Sequence, residues 1–232
     1  MNKYLIISPV GDESLHPEWV KEKTNFDLVL IYYGDNESIA ESNIKYTPYV
    51  YAAKGEKYHL IKSFIESNIE FISNYTYIWI PDNDVLISTK NINRLFEIAT
   101  QYQLSICQPS MDGYVSHEIT KPVPNNILRY TNFVEVLAPL FDLKSLLKVY
   151  KTFDLNYSSW GYDYLWPHLL DYPKDKIAII DGIIMTHTKP VGQSYSRFPV
   201  APWEEMNWLL YSYNIKKEEI NYSQIIKNEY IF

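Results

Sequence analysis

The sequence predicts an α/β fold, with a mixed and mostly parallel sheet flanked by helices. Two observations carry that expectation. Short β-rich runs that end in turn residues alternate with segments of helical period along most of the chain. A content of 47% hydrophobic residues over 232 positions is enough to build a substantial core. No internal repeat is visible.

The elements follow in order. KYLIISPV (3–10) and DLVLIYYG (27–34) read as buried parallel strands, and PYVYAA (48–53) as a weaker third. HLIKSFIESNIEFIS places Ile61, Phe64, Ile65, Ile69 and Ile72 on one helical stripe. TYIWI (76–80) is the next strand, after which Ser88 or Thr89 can cap a helix carrying Ile92, Leu95, Phe96, Ala99 and Tyr102. LSICQP (104–109) precedes a polar, proline-containing stretch that runs to about residue 128. Stretches of that length between core strands are usually functional, so it is expected to fold over a ligand or line its path. TNFVEVLAPLF (131–141) is expected as a strand, Asp142 as a helix cap, and GYDYLWPHLL as a short helix with Pro167 in its first turns. KIAIIDGIIMTH (176–187) reads as a final strand or bent pair interrupted by Gly182, and EEMNWLLYSY as a helix. Residues 1–195 are expected to form the main domain, with 196–232 as a helical extension packed on it.

Composition removes several function classes. The net charge is −7 and no block of Lys or Arg is present, so a nucleic-acid surface is not expected. The single cysteine, Cys107, rules out an internal disulfide and a cysteine-rich zinc site; it reads as a small buried apolar residue. The N-terminal run is too short and too soon interrupted for a secretory signal, and no stretch approaches the roughly 20 apolar residues of a membrane span. The expectation is a cytoplasmic protein, with peripheral contact to a membrane surface left open.

The chemistry is expected where strands end, because ligands of open α/β sheets sit beyond the carboxyl ends of the strands. YIWIPDNDV (77–85) delivers Asp82 and Asp84 there. Such a D-x-D suits a hard divalent cation, Mn²⁺ or Mg²⁺, shared with substrate phosphates, but aspartate is also common in ordinary turns. SSWGYDYLWP puts Gly161 between Trp160 and Asp163 at a loop-to-helix transition, where the acid is either catalytic or a plain helix-start residue. His187 closes the last strand and could complete an Asp/His cation site.

The ordered set YLIISPVGDESLHPEW, FDLVLIYYG, YIWIPDNDV, CQPS, SHEIT, RYTNFVEVLAPLF, SSWGYDYLWP and KIAIIDGIIMTHTKPVG resembles a plant and bacterial family catalogued as a domain of unknown function. That family is similar to glycosyltransferases of the GT-A, Rossmann-like fold, and the resemblance covers about residues 1–195. It implies a catalytic domain there, a nucleotide-sugar donor such as a UDP-sugar, and a glycan, polysaccharide or lipid-linked acceptor. Asp82 and Asp84 match the family's acidic motif, whose middle position, commonly acidic, is Asn83 here. Asp163 matches the acid of its W-G-x-D motif, and His187 the histidine after the last strand. The resemblance assigns Asp82, Asp84 and His187 to the metal and Asp163 to the catalytic base, a division that suits inversion, with retention left open. Asp163 would be ionised at neutral pH even at an aspartate's ordinary pKa.

The remaining candidates are graded by position. Ser8, Pro9 and Val10 of SPVGD, with Tyr32, Tyr33 and Asn83, are candidates for donor binding, against the alternative of core tyrosine and turn residues. Lys57 could meet a diphosphate or be an exposed lysine before a helix. Gln108, His117, Arg129, Asn132 and Glu135 are too polar for their apolar neighbours, and with Trp160 and Gly161 are candidate sugar or acceptor contacts. His16, His59 and His168 receive no role. A nucleotidyltransferase or metal-dependent hydrolase, and a non-catalytic carbohydrate-binding module, are the competing readings.

Overall fold

The structure, a computed structural model, describes residues 2–190, 192 and 195–227. In chain order the elements are β1 (Tyr4–Val10), α1 (His16–Trp19), β2 (Phe26–Tyr32), α2 (Glu37–Ser42), β3 (Tyr49–Ala52), α3 (Lys57–Ser67), α4 (Ile69–Ile72), β4 (Tyr77–Trp79), β5 (Val85–Leu86), α5 (Thr89–Gln101), β6 (Ile106–Gly113), β7 (Asn126–Thr131), β8 (Leu140–Asp142), α6 (Leu143–Val149), α7 (Tyr162–Leu169), β9 (Ile177–His187), α8 (Pro202–Ser212) and β10 (Asn221–Ile226).

The strands form one mixed sheet in the order β10-β7-β9-β6-β8-β4-β1-β2-β3, with β5 paired to β9 off that path. β3, β2, β1 and β4 are parallel to one another, as are β6 and β9. β8 lies between these two parallel groups and runs antiparallel to both β4 and β6. Apolar residues fill both faces. One layer gathers Leu5, Ile7, Ile61, Phe64, Phe141 and Trp166, and the other Ile6, Trp19, Trp79, Leu95, Phe96 and Cys107. That burial is why the early strands read as continuous apolar runs.

Local chemistry sets the helix starts. Ser88 caps α5 by accepting from the Asn91 N–H, and Asp142 caps α6 by accepting from the Ser145 N–H. The long stripe of residues 59–73 is split, because Asn68 leaves the helical region (φ −134°) and separates α3 from α4. The Gly182 interruption appears as a register shift in the β6–β9 pairing, where Pro109 faces Ile180 and Ser110 faces Ile184.

Three expectations need correction. Residues 131–141 are not one strand. β7 ends at Thr131, β8 begins at Leu140, and the chain between them is a buried loop. Its apolar side chains Phe133, Val134, Leu137 and Ala138 are buried, which produced the strand-like pattern. At its centre the backbone finds side-chain partners: Glu135 N–H on Gln108, Val136 N–H on Asp163, and the Val136 and Leu137 carbonyls on Lys57, while the Leu137 and Pro139 carbonyls also accept from the Asp82 and Ile80 N–H groups after β4. The polar stretch 110–128 is shorter than its composition suggests, since β6 runs to Gly113 and β7 starts at Asn126. The C-terminal extension is not helical throughout: α8 is its one α-helix among the described residues, and it also supplies a strand, β10, that pairs antiparallel with β7.

Arg129 and Asn132, expected at a ligand, tie this edge together instead. Arg129 is buried and binds Asp181 through Nε at 2.9 Å and Nη2 at 3.1 Å, and it also donates to the carbonyls of Ile119 and Lys121. Asn132 donates to the Glu218 carbonyl and accepts from the Ile220 N–H. Removing Arg129 would leave the buried Asp181 without a counter-charge, with only the Val123 N–H and the Asn126 amide as donors. Arg129→Met is expected to destabilise the fold by about 3–5 kcal/mol in chemical denaturation. A loss under about 1 kcal/mol would show that water relieves the aspartate.

Candidate active site

The parallel strands deliver their carboxyl ends to one side of the sheet. Gly11 to Glu13 follow β1, Tyr33 follows β2, Glu56 and Lys57 follow β3 at the start of α3, and Asp82 to Asp84 follow β4. These residues line a cavity of about 740 Å³, which is completed by His117, the 135–137 loop, Trp160, Gly161 and Asp163 at the start of α7, His187 at the end of β9 and Lys189 just after it. A cleft beyond the strand ends is where this class of sheet binds ligands.

One wall carries Asp84 and His187. The β5–β9 pairing sets Val85 opposite His187, and the Asp84 carbonyl accepts from the Thr188 N–H and hydroxyl. The His187 Nδ1–H donates to the Tyr114 carbonyl at 2.8 Å, so Nε2 is the nitrogen turned to Asp84 Oδ2, 3.4 Å away. The other Asp84 oxygen, Oδ1, is buried with no hydrogen-bond partner. Burial works against a charged His187 ring, but Asp84 and the Tyr114 carbonyl outweigh it and raise its pKa. A partnerless carboxylate oxygen beside an oriented imidazole nitrogen fits a divalent cation.

Asp82 stands apart from that pair. Its carboxylate lies 2.5 Å from the Lys57 ammonium, which also donates to the Val136 and Leu137 carbonyls at 2.9 and 2.8 Å. Lys57 is therefore neither an exposed lysine nor free for a diphosphate. Its three donors are in use. Among the described residues no group of three or more His, Cys, Asp or Glu side chains is arranged to hold a metal. The expected trio of metal residues comes together only as the Asp84–His187 pair, with Asp82 held alongside by Lys57.

A second wall carries Asp163. Gly161 begins α7 with φ +93°, a left-handed conformation that side chains resist, and an added Cβ would meet Leu209 at 3.0 Å. This turn places Asp163 in the first helical turn, where its Oδ1 accepts from the Val136 N–H at 2.6 Å. Burial raises its carboxyl pKa to about 6, above the ordinary value assumed from the sequence, although His117 and the Val136 N–H pull it down. Glu135 is also buried. Its Oε2 has no hydrogen-bond partner, and burial raises its pKa to about 7. His117 Nδ1 lies 2.6 Å from Glu219 Oε1, which also accepts from the Tyr164 hydroxyl at 3.0 Å. Burial opposes charge on His117, but Glu219 outweighs it and raises the pKa.

Other candidates separate cleanly by position. Tyr33 lines the cavity and its hydroxyl accepts from the Asn83 amide at 3.0 Å. Trp160 lines it as well, its indole N–H donating to the Tyr195 hydroxyl at 2.8 Å. Ser8, Pro9 and Val10 are buried in β1, with Ser8 donating to the Pro81 carbonyl, so the cavity wall begins only at Gly11. The Tyr32 hydroxyl turns away to Asp12 and Asn36. Gln108 is fully buried and supports Glu135 from behind. Sequence reasoning missed Glu219, Tyr195 and Lys189. Glu219 meets His117 and Tyr164 of the cavity wall from the segment before β10, and no local signal announces that meeting.

The fold is of the GT-A glycosyltransferase type. A family model described as a protein of unknown function, DUF707, matches residues 18–132. A search of curated protein sequences gives no match. Among solved structures the chain resembles S. aureus TarS, with a TM-score of 0.57 and 11% identity over 88% of this chain and 41% of that one. The 1–349 portion of TarS in complex with UDP-GlcNAc gives 0.59 and 13% identity, covering 94% of this chain and 68% of that one. The same portion without the ligand gives 0.55 and 12%, covering 91% and 72%. This chain thus spans under half of the longer TarS chain, and the likeness is one of fold.

The raised carboxyl of Glu135 has a consequence for stability. The folded chain keeps a proton that the unfolded chain releases between about pH 4.5 and 7, so its contribution to stability falls as pH rises through that window. Asp163 acts in the same direction up to about pH 6. Glu135→Gln is expected to flatten the fall and to gain on the order of 1–3 kcal/mol over wild type at pH 8. Parallel stability curves for the two proteins from pH 4 to 8 would contradict this.

Proposed function

We propose that the protein transfers a sugar from a nucleotide-sugar donor to a hydroxyl of an acceptor, in a divalent-cation-dependent reaction that inverts the anomeric carbon. The observation that carries this reading is one cavity at the strand carboxyl ends holding both the Asp84–His187 pair, with its partnerless carboxylate oxygen, and the buried Asp163. The fold likeness to a protein in complex with UDP-GlcNAc supports a nucleotide-sugar donor and makes uridine diphosphate the first nucleotide portion to test.

Asp84 and His187 would hold Mn²⁺ or Mg²⁺, whose Lewis acidity offsets the charge that builds on the diphosphate as the glycosyl–phosphate bond breaks. Tyr33, with its ring at the cavity edge and its hydroxyl tied to Asn83, is placed to stack on the nucleoside base. Asp163 would accept the proton of the acceptor hydroxyl as the new glycosidic bond forms. A pKa of about 6 leaves it mostly ionised at neutral pH and more basic than an exposed aspartate. Its hydrogen bond to the Val136 N–H holds one oxygen and leaves the other for the substrate. The acceptor would be a glycan, a polysaccharide or a lipid-linked saccharide. No helix among the described residues is long and apolar enough to cross a membrane, so a lipid-linked acceptor would be met at a membrane surface.

Two variants separate the roles. Asp84→Ala should abolish Mn²⁺-dependent stabilisation by uridine diphosphate in a thermal-shift assay while leaving the unliganded melting temperature nearly unchanged. Retained Mn²⁺-dependent stabilisation would remove Asp84 from the cation. Asp163→Asn should lower sugar transfer by about two orders of magnitude or more with donor binding preserved. Transfer at the wild-type rate would exclude Asp163 as the base.

A further inference from the structure

We infer that His117, Glu219 and Glu135 form an acceptor subsite that binds two neighbouring hydroxyls of a polyhydroxy compound, with Glu219 as the positioning residue that makes His117 a fixed hydrogen-bond donor. The inference rests on the transferase reading for its place in the reaction, but its binding chemistry can be tested separately.

The segment just before β10 brings Glu219 to His117, which lines the cavity. Asn132 holds the residues on both sides of it, donating to the Glu218 carbonyl at 3.0 Å and accepting from the Ile220 N–H at 2.7 Å. The Tyr164 hydroxyl donates to Glu219 Oε1, the oxygen that also meets His117 Nδ1 at 2.6 Å. The His117 ring packs on Phe133, with centroids 4.6 Å apart. His117 is thus held by its face and by one nitrogen, a degree of fixation that an ordinary surface ion pair lacks.

The proton on that ring follows from its surroundings. Nδ1 must donate to the Glu219 carboxylate, and the charges of Glu219, Asp163 and Glu135 all act on the ring. A ring so surrounded favours the imidazolium form, in which the remaining nitrogen, Nε2, also donates. Among the described residues no protein acceptor hydrogen-bonds to that nitrogen. Glu135 supplies the opposite function. Its Oε2 is buried without a partner, and a buried carboxylate oxygen gains most from a ligand that brings it a donor.

A fixed donor and a vacant acceptor that line the same cavity and feel each other's charge complement adjacent hydroxyls, one accepting from His117 and the other donating to Glu135. The same pair discriminates against charged ligands. An ammonium would meet the imidazolium, and a phosphate would meet Glu135 and Asp163. A neutral diol is the chemistry left, and Asp163 nearby is placed to receive the proton of the hydroxyl that reacts.

The test is ring ¹⁵N NMR of His117 in the full chain, with uridine diphosphate and Mg²⁺ present. The neutral probes are methyl glucoside, methyl galactoside, methyl mannoside, ribitol and glycerol, with methyl 2-amino-2-deoxyglucoside as the charged control. The expected result is a saturable His117 shift with at least one neutral probe, weakened about tenfold or more by Glu135→Gln and by Glu219→Gln. Glu219→Asp should restore part of it, and Glu219→Gln should lower the His117 pKa at an unchanged melting temperature. The proposal is overturned if no neutral probe shifts His117, if the amino sugar binds more tightly than its neutral counterpart, or if the two Gln variants bind like wild type. Uridine diphosphate binding is read in the same samples. If it fails while the diol shift persists, the transferase reading falls and the subsite stands; if it persists while the diol shift is absent, the subsite alone falls.

Discussion

The candidate site depends on the backbone of three residues, Glu135, Val136 and Leu137. They lie in a loop buried between β7 and β8, outside the sheet ladder, so side chains satisfy most of their polar groups. Lys57 takes two of the carbonyls and Asp163 takes one N–H, while Gln108 takes another. The Leu137 carbonyl also accepts from the Asp82 N–H. One loop therefore joins the end of β4, the start of α3 and the start of α7.

That arrangement explains the balance of charge in the cavity. Lys57 neutralises Asp82 and has no donor left for a ligand. Asp84, Glu135 and Asp163 keep carboxylate oxygens without a lysine partner, and two of these acids have strongly raised pKa values. Desolvation is the largest cause in both, so these acids keep their protons to higher pH than exposed carboxyls do, and a ligand that brings a cation or donors favours their charged form. Such a site suits a cation and hydroxyl groups together, which is the mixture that sugar transfer from a nucleotide donor requires.

Much of this was legible in the sequence, for identifiable reasons. β1, β2 and β4 are short and apolar, and their turn residues mark where they end, so Asp82 and Asp84 could be placed at a strand's carboxyl end. Gly161 marked the tight turn before Asp163. The loop at 131–141 was not legible, because burial on all sides gives a loop the same apolar composition as a strand. Arg129 and Asn132 were polar among apolar neighbours, as a binding residue would be, yet they serve Asp181 and the C-terminal segment. Glu135 and His117 show the same signature and do line the cavity. Composition could not separate these cases, because the difference lies in partners that are 50 to 100 residues away in sequence.

The central claim is that Asp84 and His187 hold a divalent cation for a nucleoside diphosphate in the cavity that contains Asp163. Anomalous diffraction from crystals grown with Mn²⁺ and uridine diphosphate tests it most directly. The account predicts one manganese peak touching Asp84 Oδ1 and His187 Nε2, with the diphosphate on the ion and Asp163 off it. A manganese peak elsewhere on the protein, or a nucleotide bound outside this cavity, would contradict it.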